Sequence, residues 1–453
     1  MTELGYAWAY NQVLFPTWQR VVHGRPIGGH RAALERTQWL DADTLARAQA
    51  ARLRELLVHA GANVPYYKRL FAQLRFDPAR VASRDDLTRL PLLTREAIRE
   101  NYDDLVDPGH RGRNIEKQTS GTSGVPLRFE YSNESETWRQ ATRLRAYEWA
   151  GYRQGMPTLH YWGTGTRVAR GLRAVKTSVD RSLRREIYFD CGHQDEKSMQ
   201  DLARLIARMR PHVVIAYTHA LAIFARWVIE HEARAWDDVA VIGGAEAMLP
   251  ADRSAIQRVF GPRVFETYGA RETMLIAAEC DAHDGLHVSE ENLVVEIVRD
   301  DGTPAAPGET GAVVVTDLHN AGMPFIRYAN GDLAAWSAEG ACRCGRGLRR
   351  LAQVDGRRND TMRDASGAPV PGMLFISLLN SHEAEIREFQ AVQRRSGDVE
   401  LRIVPGRAWS EARFGETARR LASYLRGLPF RVVLVHAIPS DPSGKRRAVV
   451  VER

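Results

Sequence analysis

Lysine is nearly missing from this chain. Of 63 basic residues only five are lysines (Lys68, Lys117, Lys176, Lys197 and Lys445), and arginine supplies the rest. Arginine bias of this kind reflects genome composition, so a lysine at a chemically loaded position is less easily dismissed as filler. Cysteine is scarce too, four in 453 residues, which excludes a disulfide-stapled scaffold and points to a reducing compartment. No apolar run approaches the roughly 20 residues of a membrane-spanning helix. The N-terminus shows no charged start, apolar stretch and small-residue cleavage site of a secretory signal. Repeats and low-complexity tracts are absent, and a composition of 44% hydrophobic and 26% charged residues excludes a disordered or collagen-like chain. The expectation is a soluble, cytoplasmic protein of two or three domains.

The net charge is +7, and it is unevenly placed. From Gly356 onward there are 17 Lys+Arg against 11 Asp+Glu, so nearly all of the excess sits in the last hundred residues. Basic repeats interleaved with aromatics are absent, which argues against nucleic acid as a partner. The aromatic start (Trp8, Phe15, Trp18) is expected to pack as a first helix on the body.

Apolar residues at helical spacing over 43–58 predict an amphipathic helix that Val64-Pro65 ends, and Thr94 is placed to cap another. The middle of the chain alternates between two periods. Strands are expected at Thr158–Trp162, His212–Tyr217, Val239–Gly243 and Val264–Thr267, with helices at Ser198–Met209, Leu221–Glu232 and Ala251–Phe260. This β–α alternation predicts a largely parallel, helix-covered sheet. Strand-like runs at His287–Val298 and Gly311–Thr316 without helices between them predict a smaller antiparallel subdomain. After Gly356 the order strand (389–393), strand (399–404), helix (411–426), strand (431–436) predicts a separate α+β unit. The domains are therefore expected at 1–355 and 356–453, with a hinge near 355–360.

The strongest local signal is Gln118-Thr119-Ser120-Gly121-Thr122-Ser123-Gly124-Val125-Pro126. Glycines here let the backbone approach an anion, and hydroxyls add donors for phosphate oxygens. It is not the lysine-containing phosphate loop of nucleoside triphosphatases. Gly243-Gly244-Ala245-Glu246 follows a strand, where a ligand at the carboxyl edge of a parallel sheet sits. Glu266-Thr267-Tyr268-Gly269-Ala270-Arg271-Glu272 follows another, offering an aromatic face for a base and a carboxylate for a metal ion. Arg327-Tyr328-Ala329-Asn330-Gly331-Asp332 places an acid after a glycine turn, suited to ribose hydroxyls. Pro442-Ser443-Gly444-Lys445 puts one of the rare lysines on a turn. No Ser/His/Asp arrangement or catalytic cysteine context is visible.

These segments, in this order, resemble the adenylate-forming superfamily, and within it the phenylacetate-CoA ligase group and its CapK branch. The resemblance extends to Asn63-Val64-Pro65-Tyr66-Tyr67, Leu90-Pro91-Leu92-Leu93-Thr94 and Gly356-Arg357-Arg358-Asn359-Asp360. It implies that Thr119, Ser120, Gly121, Thr122, Ser123 and Gly124 hold the ATP β/γ-phosphates. Gly244, Ala245 and Glu246, with Thr267, Tyr268 and Gly269, would enclose the adenine, and Asp332 with Arg357 the ribose. Glu272 would ligate Mg2+, and Lys445 would bridge the substrate carboxylate and the α-phosphate. Two departures stand out: Arg271 replaces the usual Thr or Ser before the metal-binding glutamate, and Asn359 replaces the first acid of the hinge. Tyr161, Trp162 and Gly163 are expected beside an acyl pocket, their apolar faces suggesting an aromatic or otherwise hydrophobic acid.

Cys280, His287 and the Cys342-Arg343-Cys344 pair supply three thiolates and an imidazole, the donor set of a closed structural Zn2+ site. His283 competes with His287 as the fourth ligand, and plain burial of small apolar cysteines is the alternative.

The reaction implied by the resemblance is ATP-dependent activation of a carboxylic acid to an acyl-adenylate, followed by transfer to CoA with release of AMP. Rival expectations are AMP transfer to a hydroxyl or phenol, amide formation with an amine, and a non-catalytic assembly protein. The acid, the acceptor and the oligomeric state, a homodimer included, stay open.

Overall fold

The computed structural model describes residues 3–119, 127–163, 172–191, 195–357, 362–367, 369–370, 375, 379, 382, 385–425, 427–438 and 448–452. The first helices are α1 (Glu3–Ala9), α2 (Phe15–His23), α3 (Ile27–Thr37), α4 (Ala42–Asn63) and α5 (Pro65–Leu74). The Asp41 carboxylate caps α4 by accepting from the Thr44 N–H at 2.8 Å, and Pro65 opens α5 at a position where its missing N–H costs nothing. Short helices α6 (Arg95–Glu100) and α7 (Tyr102–Leu105) lead to the hairpin β1 (Ile115–Gln118) and β2 (Arg128–Tyr131). Thr94 caps α6 as its hydroxyl accepts from the Ala97 N–H.

Next come α8 (Asn133–Trp149), β3 (Thr158–Trp162), α9 (Leu172–Arg184), β4 (Glu186–Asp190), α10 (Glu196–Met209), β5 (Val213–Tyr217), α11 (Thr218–Glu230), β6 (Ala240–Gly244) and α12 (Pro250–Phe260). The chain then runs through β7 (Val264–Ala270), β8 (Met274–Glu279), β9 (Leu286–Val288), β10 (Leu293–Val298), β11 (Thr310–Asp317), β12 (Tyr328–Trp336) and β13 (Arg350–Arg357). Strands β3 to β13 form one eleven-stranded sheet in the order β10-β11-β12-β13-β9-β8-β7-β6-β5-β3-β4. Strands β4, β3, β5, β6 and β7 are parallel.

Val213 to Tyr217 are all buried, because helices cover both faces of this half, and that is why its strands read as unbroken apolar runs. On one face Leu159, Val214 and Val241 pack with Met199, Leu221 and Ile256 of α10, α11 and α12. On the other, Ile215 and Ile242 meet Tyr10, Phe15, Ile27 and Leu144 from the N-terminal helices and α8. The N-terminal aromatics thus divide: Phe15 is core, whereas Trp8 is exposed. The expected antiparallel region exists, but β7 pairs directly with β8, so it continues the main sheet. The run expected at His287–Val298 is two strands, interrupted by residues 289–292.

Beyond residue 361 lie the pair β14 (Met362–Arg363) and β15 (Pro369–Val370), then β16 (Ile386–Gln393), β17 (Val399–Pro405), α13 (Glu411–Tyr424), β18 (Phe430–Leu434) and β19 (Val449–Val451). A separate sheet, β18-β17-β16-β19, carries its own core, with Phe414 and Leu421 of α13 against Ala391, Leu401 and Ile403. No helix among the described residues is long and apolar enough to cross a membrane.

Candidate active site

The ends of β6 and β7 and strand β12 link several of the described candidates, Thr267 to Gly243, Tyr268 to Asp332 and Tyr328 to Glu272, while the β1–β2 hairpin is a separate two-stranded sheet whose Leu127 and Phe129 share a core cluster with Tyr328. The Thr119 hydroxyl accepts from the Leu127 N–H at 3.0 Å, and the Thr119 N–H donates to the Leu127 carbonyl at 2.9 Å. This pair closes the base of the loop; Ser120, Gly121, Thr122, Ser123 and Gly124 lie outside the described residues.

At the end of β6, Ala245 takes φ of +69°, a left-handed conformation that an alanine adopts at a cost of roughly 1 kcal/mol. The Thr267 hydroxyl donates to the Gly243 carbonyl at 2.8 Å, tying β7 to β6. A Cβ on Gly244 would stand 2.8 Å from Thr267 Oγ1, so a side chain there would displace that hydroxyl from the Gly243 carbonyl. Trp162 packs edge-on to Tyr217 at 4.3 Å. Glu246 turns back to accept from the His219 N–H at 3.3 Å, at the start of α11.

Tyr268 donates to Asp332 Oδ2 at 2.8 Å, and Asn330 Nδ2 donates to both Tyr268 Oη and Asp332 Oδ2 at 2.8 and 2.9 Å. Burial, and then the Asp332 charge, push the Tyr268 hydroxyl well above the usual tyrosine range, so it stays a donor. Asp332 and Arg357 are register partners on β12 and β13, which puts the two ribose candidates side by side along the backbone. At Gly269 a Cβ would collide with the Met274 carbonyl, which explains the glycine at the bulge where β7 turns toward β8.

Glu272 is 3% exposed, and both of its hydrogen bonds fall on Oε1: the Tyr328 hydroxyl donates at 2.7 Å and Arg95 Nη2 at 3.0 Å. Arg95 Nε also donates to the Tyr328 oxygen at 3.2 Å. This triad is assembled by a bridge between Leu93 and Tyr328, where the Leu93 N–H meets the Arg327 carbonyl and the Ala329 N–H meets the Leu93 carbonyl. Burial and the Glu272 charge raise the Tyr328 hydroxyl well above its ordinary value. A hard carboxylate oxygen, Oε2, is thereby left for a cation such as Mg2+. Arg271 is exposed. Arg95 and Tyr328 were not among the residues assigned from sequence, although both lie in or next to the quoted segments.

Tyr161 is 1% exposed and packs with Leu159, Met199 and Leu202. Of the three acyl-pocket candidates, Trp162 and Gly163 stand at the strand end. Lys445 lies outside the described residues.

A second cluster lies farther along the sheet. The ligand atoms of Cys280, His287, Cys342 and Cys344 are all within 4.8 Å of one another. Cys280 Sγ is 3.8 Å from Cys342 Sγ, and Cys344 Sγ is 3.3 Å from His287 Nε2. His287 Nδ1 lies 3.0 Å from the Leu348 carbonyl, a contact that needs the proton on Nδ1 and leaves Nε2 as the lone-pair nitrogen. The N–H groups of Ala282 and Arg346 donate to Cys280 and Cys344, both at 3.4 Å. The competing His283 instead faces Glu279, 2.9 Å from its carboxylate. Arg346 lies between the Trp39 and Trp149 rings, at 4.8 and 4.7 Å, and donates to Gln38 at 3.1 Å. Three sulfurs and one imidazole nitrogen at these separations fit a tetrahedral Zn2+.

No family model matches the chain. The phenylacetate-coenzyme A ligase of Escherichia coli K12 is 30% identical over 335 residues, covering 71% of this chain and 72% of that protein. The chain belongs to the phenylacetate-CoA ligase family. The corresponding ligase of Thermus thermophilus is 27% identical over 380 residues, covering 80% of this chain and 82% of its own. Among solved structures, 2-hydroxyisobutyryl-CoA ligase in the postadenylation state, in complex with R3-HIB-AMP, superimposes with a TM-score of 0.75 at 20% identity, covering 92% of each chain. That likeness is one of fold, and it spans the large sheet and the C-terminal unit together.

One further carboxyl in this phenylacetate-CoA ligase family member carries a testable pH dependence. Burial pushes the Glu266 carboxyl up to about 7, with the nearby Glu279 charge adding to it. Its Oε1 accepts from the Met248 N–H at 3.0 Å, while its own N–H donates to Glu279. Between the ordinary glutamate value near 4.5 and about 7, the unfolded chain gives up this proton and the folded chain keeps it. Stability from this group is therefore present below that window and lost as pH rises through it. Glu266→Gln keeps the acceptor for Met248 without the charge. The melting temperature of the variant relative to the native protein is expected to rise steadily from pH 5 to pH 8, and a flat difference would contradict the assignment.

Proposed function

We propose that this protein is a cytoplasmic, AMP-forming acid–CoA ligase of two domains, a nucleotide- and acid-binding body (1–355) and a smaller mobile domain (356–453). What supports this reading is the linkage of Thr267 to Gly243, Tyr268 to Asp332 and Tyr328 to Glu272 along β6, β7 and β12. Loop residues 119–124 receive the ATP phosphates. The Gly244–Glu246 and Thr267–Gly269 turns enclose the adenine, and Asp332 with Arg357 holds the ribose. Glu272 would hold Mg2+, which when bound offsets polyphosphate charge as pyrophosphate leaves.

In this reading Lys445 stabilises charge between the acid carboxylate and the α-phosphate. The carboxylate oxygen attacks the α-phosphorus, pyrophosphate departs, and the acyl-adenylate forms. In the second step the CoA sulfur attacks the acyl carbon and AMP leaves. Splitting the condensation in two makes the carboxyl carbon a better electrophile. Arg271, beside Glu272, supplies a cation for the α-phosphate and supports placement in the CapK branch. Trp162 and Gly163 border the acyl group. The cysteine–histidine cluster takes a structural Zn2+ and no part in the chemistry.

The test is acid-dependent ATP–pyrophosphate exchange across a carboxylate panel, repeated as end-point product analysis with and without CoA. Exchange that needs an acid, and a thioester that needs CoA, are expected. Exchange with a hydroxyl compound and no acid, leaving a stable AMP adduct, would overturn the reading.

A further inference from the structure

The turn that follows β6 is strained, and it is held from outside. Ala245 takes φ of +69° there, a conformation that persists only where the surroundings over-determine it. Those surroundings include the start of α11, since β5 and β6 pair in register as far as Tyr217 and Gly244. The Thr218 hydroxyl reaches the Gly244 and Glu246 carbonyls at 3.5 and 3.4 Å. Helix α11 has no side-chain cap at Tyr217, the residue before it. The Glu246 carboxylate serves its first turn instead, accepting from the His219 N–H at 3.3 Å.

The His219 ring turns to the neighbouring helix. Its Nδ1 is 3.3 Å from Asp252 Oδ2 in the first turn of α12, and Arg226 Nη2 donates to the other Asp252 oxygen at 2.6 Å. Asp252 is 2% exposed, whereas the His219 side chain keeps 24% of its surface open. A buried carboxylate is tolerated where both oxygens are matched, and here one match is a group that titrates near neutrality. Burial disfavours a charged imidazole at this place, but the Asp252 charge and hydrogen bond, and then the Glu246 charge, outweigh it, with Arg226 opposing. His219 therefore holds its proton above the ordinary histidine range. Asp252 from α12, Glu246 from the β6 turn and Arg226 from α11 itself are the charged groups acting on the ring. One of them, Glu246, belongs to the turn assigned to the adenine.

We infer that His219 is a positioning residue for the nucleotide: its imidazolium, fixed on Asp252, draws Glu246 onto the start of α11 and so holds the Gly244–Glu246 turn in the strained shape that meets the adenine. The inference rests on the adenylating reading above. It gives ATP binding a dependence on one proton that binding of the acid does not share. As pH rises through the His219 transition the charge is lost, the pull on Glu246 weakens and the turn is held less firmly. The effect is present below that transition and gone above it.

The experiment is acid-dependent pyrophosphate exchange between pH 6 and pH 9, with His219→Gln compared to the native enzyme at each pH so that the titration of ATP itself cancels. Glutamine can still donate to Asp252 but carries no charge. The KM for ATP, variant over native, is expected to be about fivefold at pH 6 and to fall toward one at pH 9. The same ratio for the acid should stay flat. His219→Lys, charged across the whole range, is expected to keep the native KM for ATP at pH 6 and to hold it at pH 9. A merely structural role would raise both KM values at every pH and would not be rescued by lysine. A ratio for ATP that does not move with pH, or that moves equally for the acid, would overturn the inference and leave the adenylating reading intact. If no acid supports exchange at any pH, the adenylating reading fails and the inference falls with it.

Discussion

Glu272→Gln is expected to slow acid-dependent pyrophosphate exchange by about 100- to 1,000-fold, the usual effect of removing one positioned charge from a developing transition state. Glutamine keeps an Oε1 that can accept from Tyr328 and Arg95, so the triad and the fold are retained while the charge that attracts the cation is gone. The loss should appear in the rate and in the Mg2+ concentration needed for half-maximal exchange. Arg95→Ala and Tyr328→Phe touch the same carboxylate from the protein side, each removing a donor at 3.0 and 2.7 Å. Their effects should be smaller, on the order of tenfold, because the charge remains and only its placement loosens. A Glu272→Gln enzyme within threefold of the native rate would mean that the carboxylate serves the structure alone.

The second large effect is expected at the cysteine cluster. Purified protein should carry one equivalent of zinc by elemental analysis, and Cys342→Ser should lose it. The melting temperature should fall by roughly 10 °C, since structural zinc contributes several kcal/mol and a large domain shifts by about 2–4 °C per kcal/mol. The reason for so much leverage is topological. Cys280 follows β8, His287 sits in β9, and Cys342 and Cys344 lie between β12 and β13, so one ion would fasten three stretches of the antiparallel half. Protein without zinc, and with a melting temperature unmoved by Cys342→Ser, would leave these residues as ordinary buried thiols.

Much of this was legible because it is local. The unbroken apolar run at Val213–Tyr217 and the alternation of periods around it specify a parallel, doubly covered sheet without any tertiary information. The cysteines and His287 could be proposed from ligand chemistry, but choosing His287 over His283 needed the register that turns one toward the sulfurs and the other toward Glu279. Arg95 and Tyr328 illustrate the limit. They meet through a bridge between Leu93 and Tyr328, and nothing within either segment announces a partner more than 230 residues away.

The contact of Gln38 with Arg346 spans 308 residues, and it sets a schedule for the chain as it is made. At about 5–20 residues per second, the corner carrying Gln38 and Trp39 emerges roughly 15–60 s before the arginine that fills the space between Trp39 and Trp149. Gly347 reinforces the dependence, because its backbone lies so close to the Leu40 carbonyl that a Cβ would collide. The corner of the N-terminal helices is thus completed only by a loop synthesised near the end of the body. A released chain that ends before residue 342 should be far more sensitive to protease at this corner than the full chain, because it lacks the arginine and glycine that complete it.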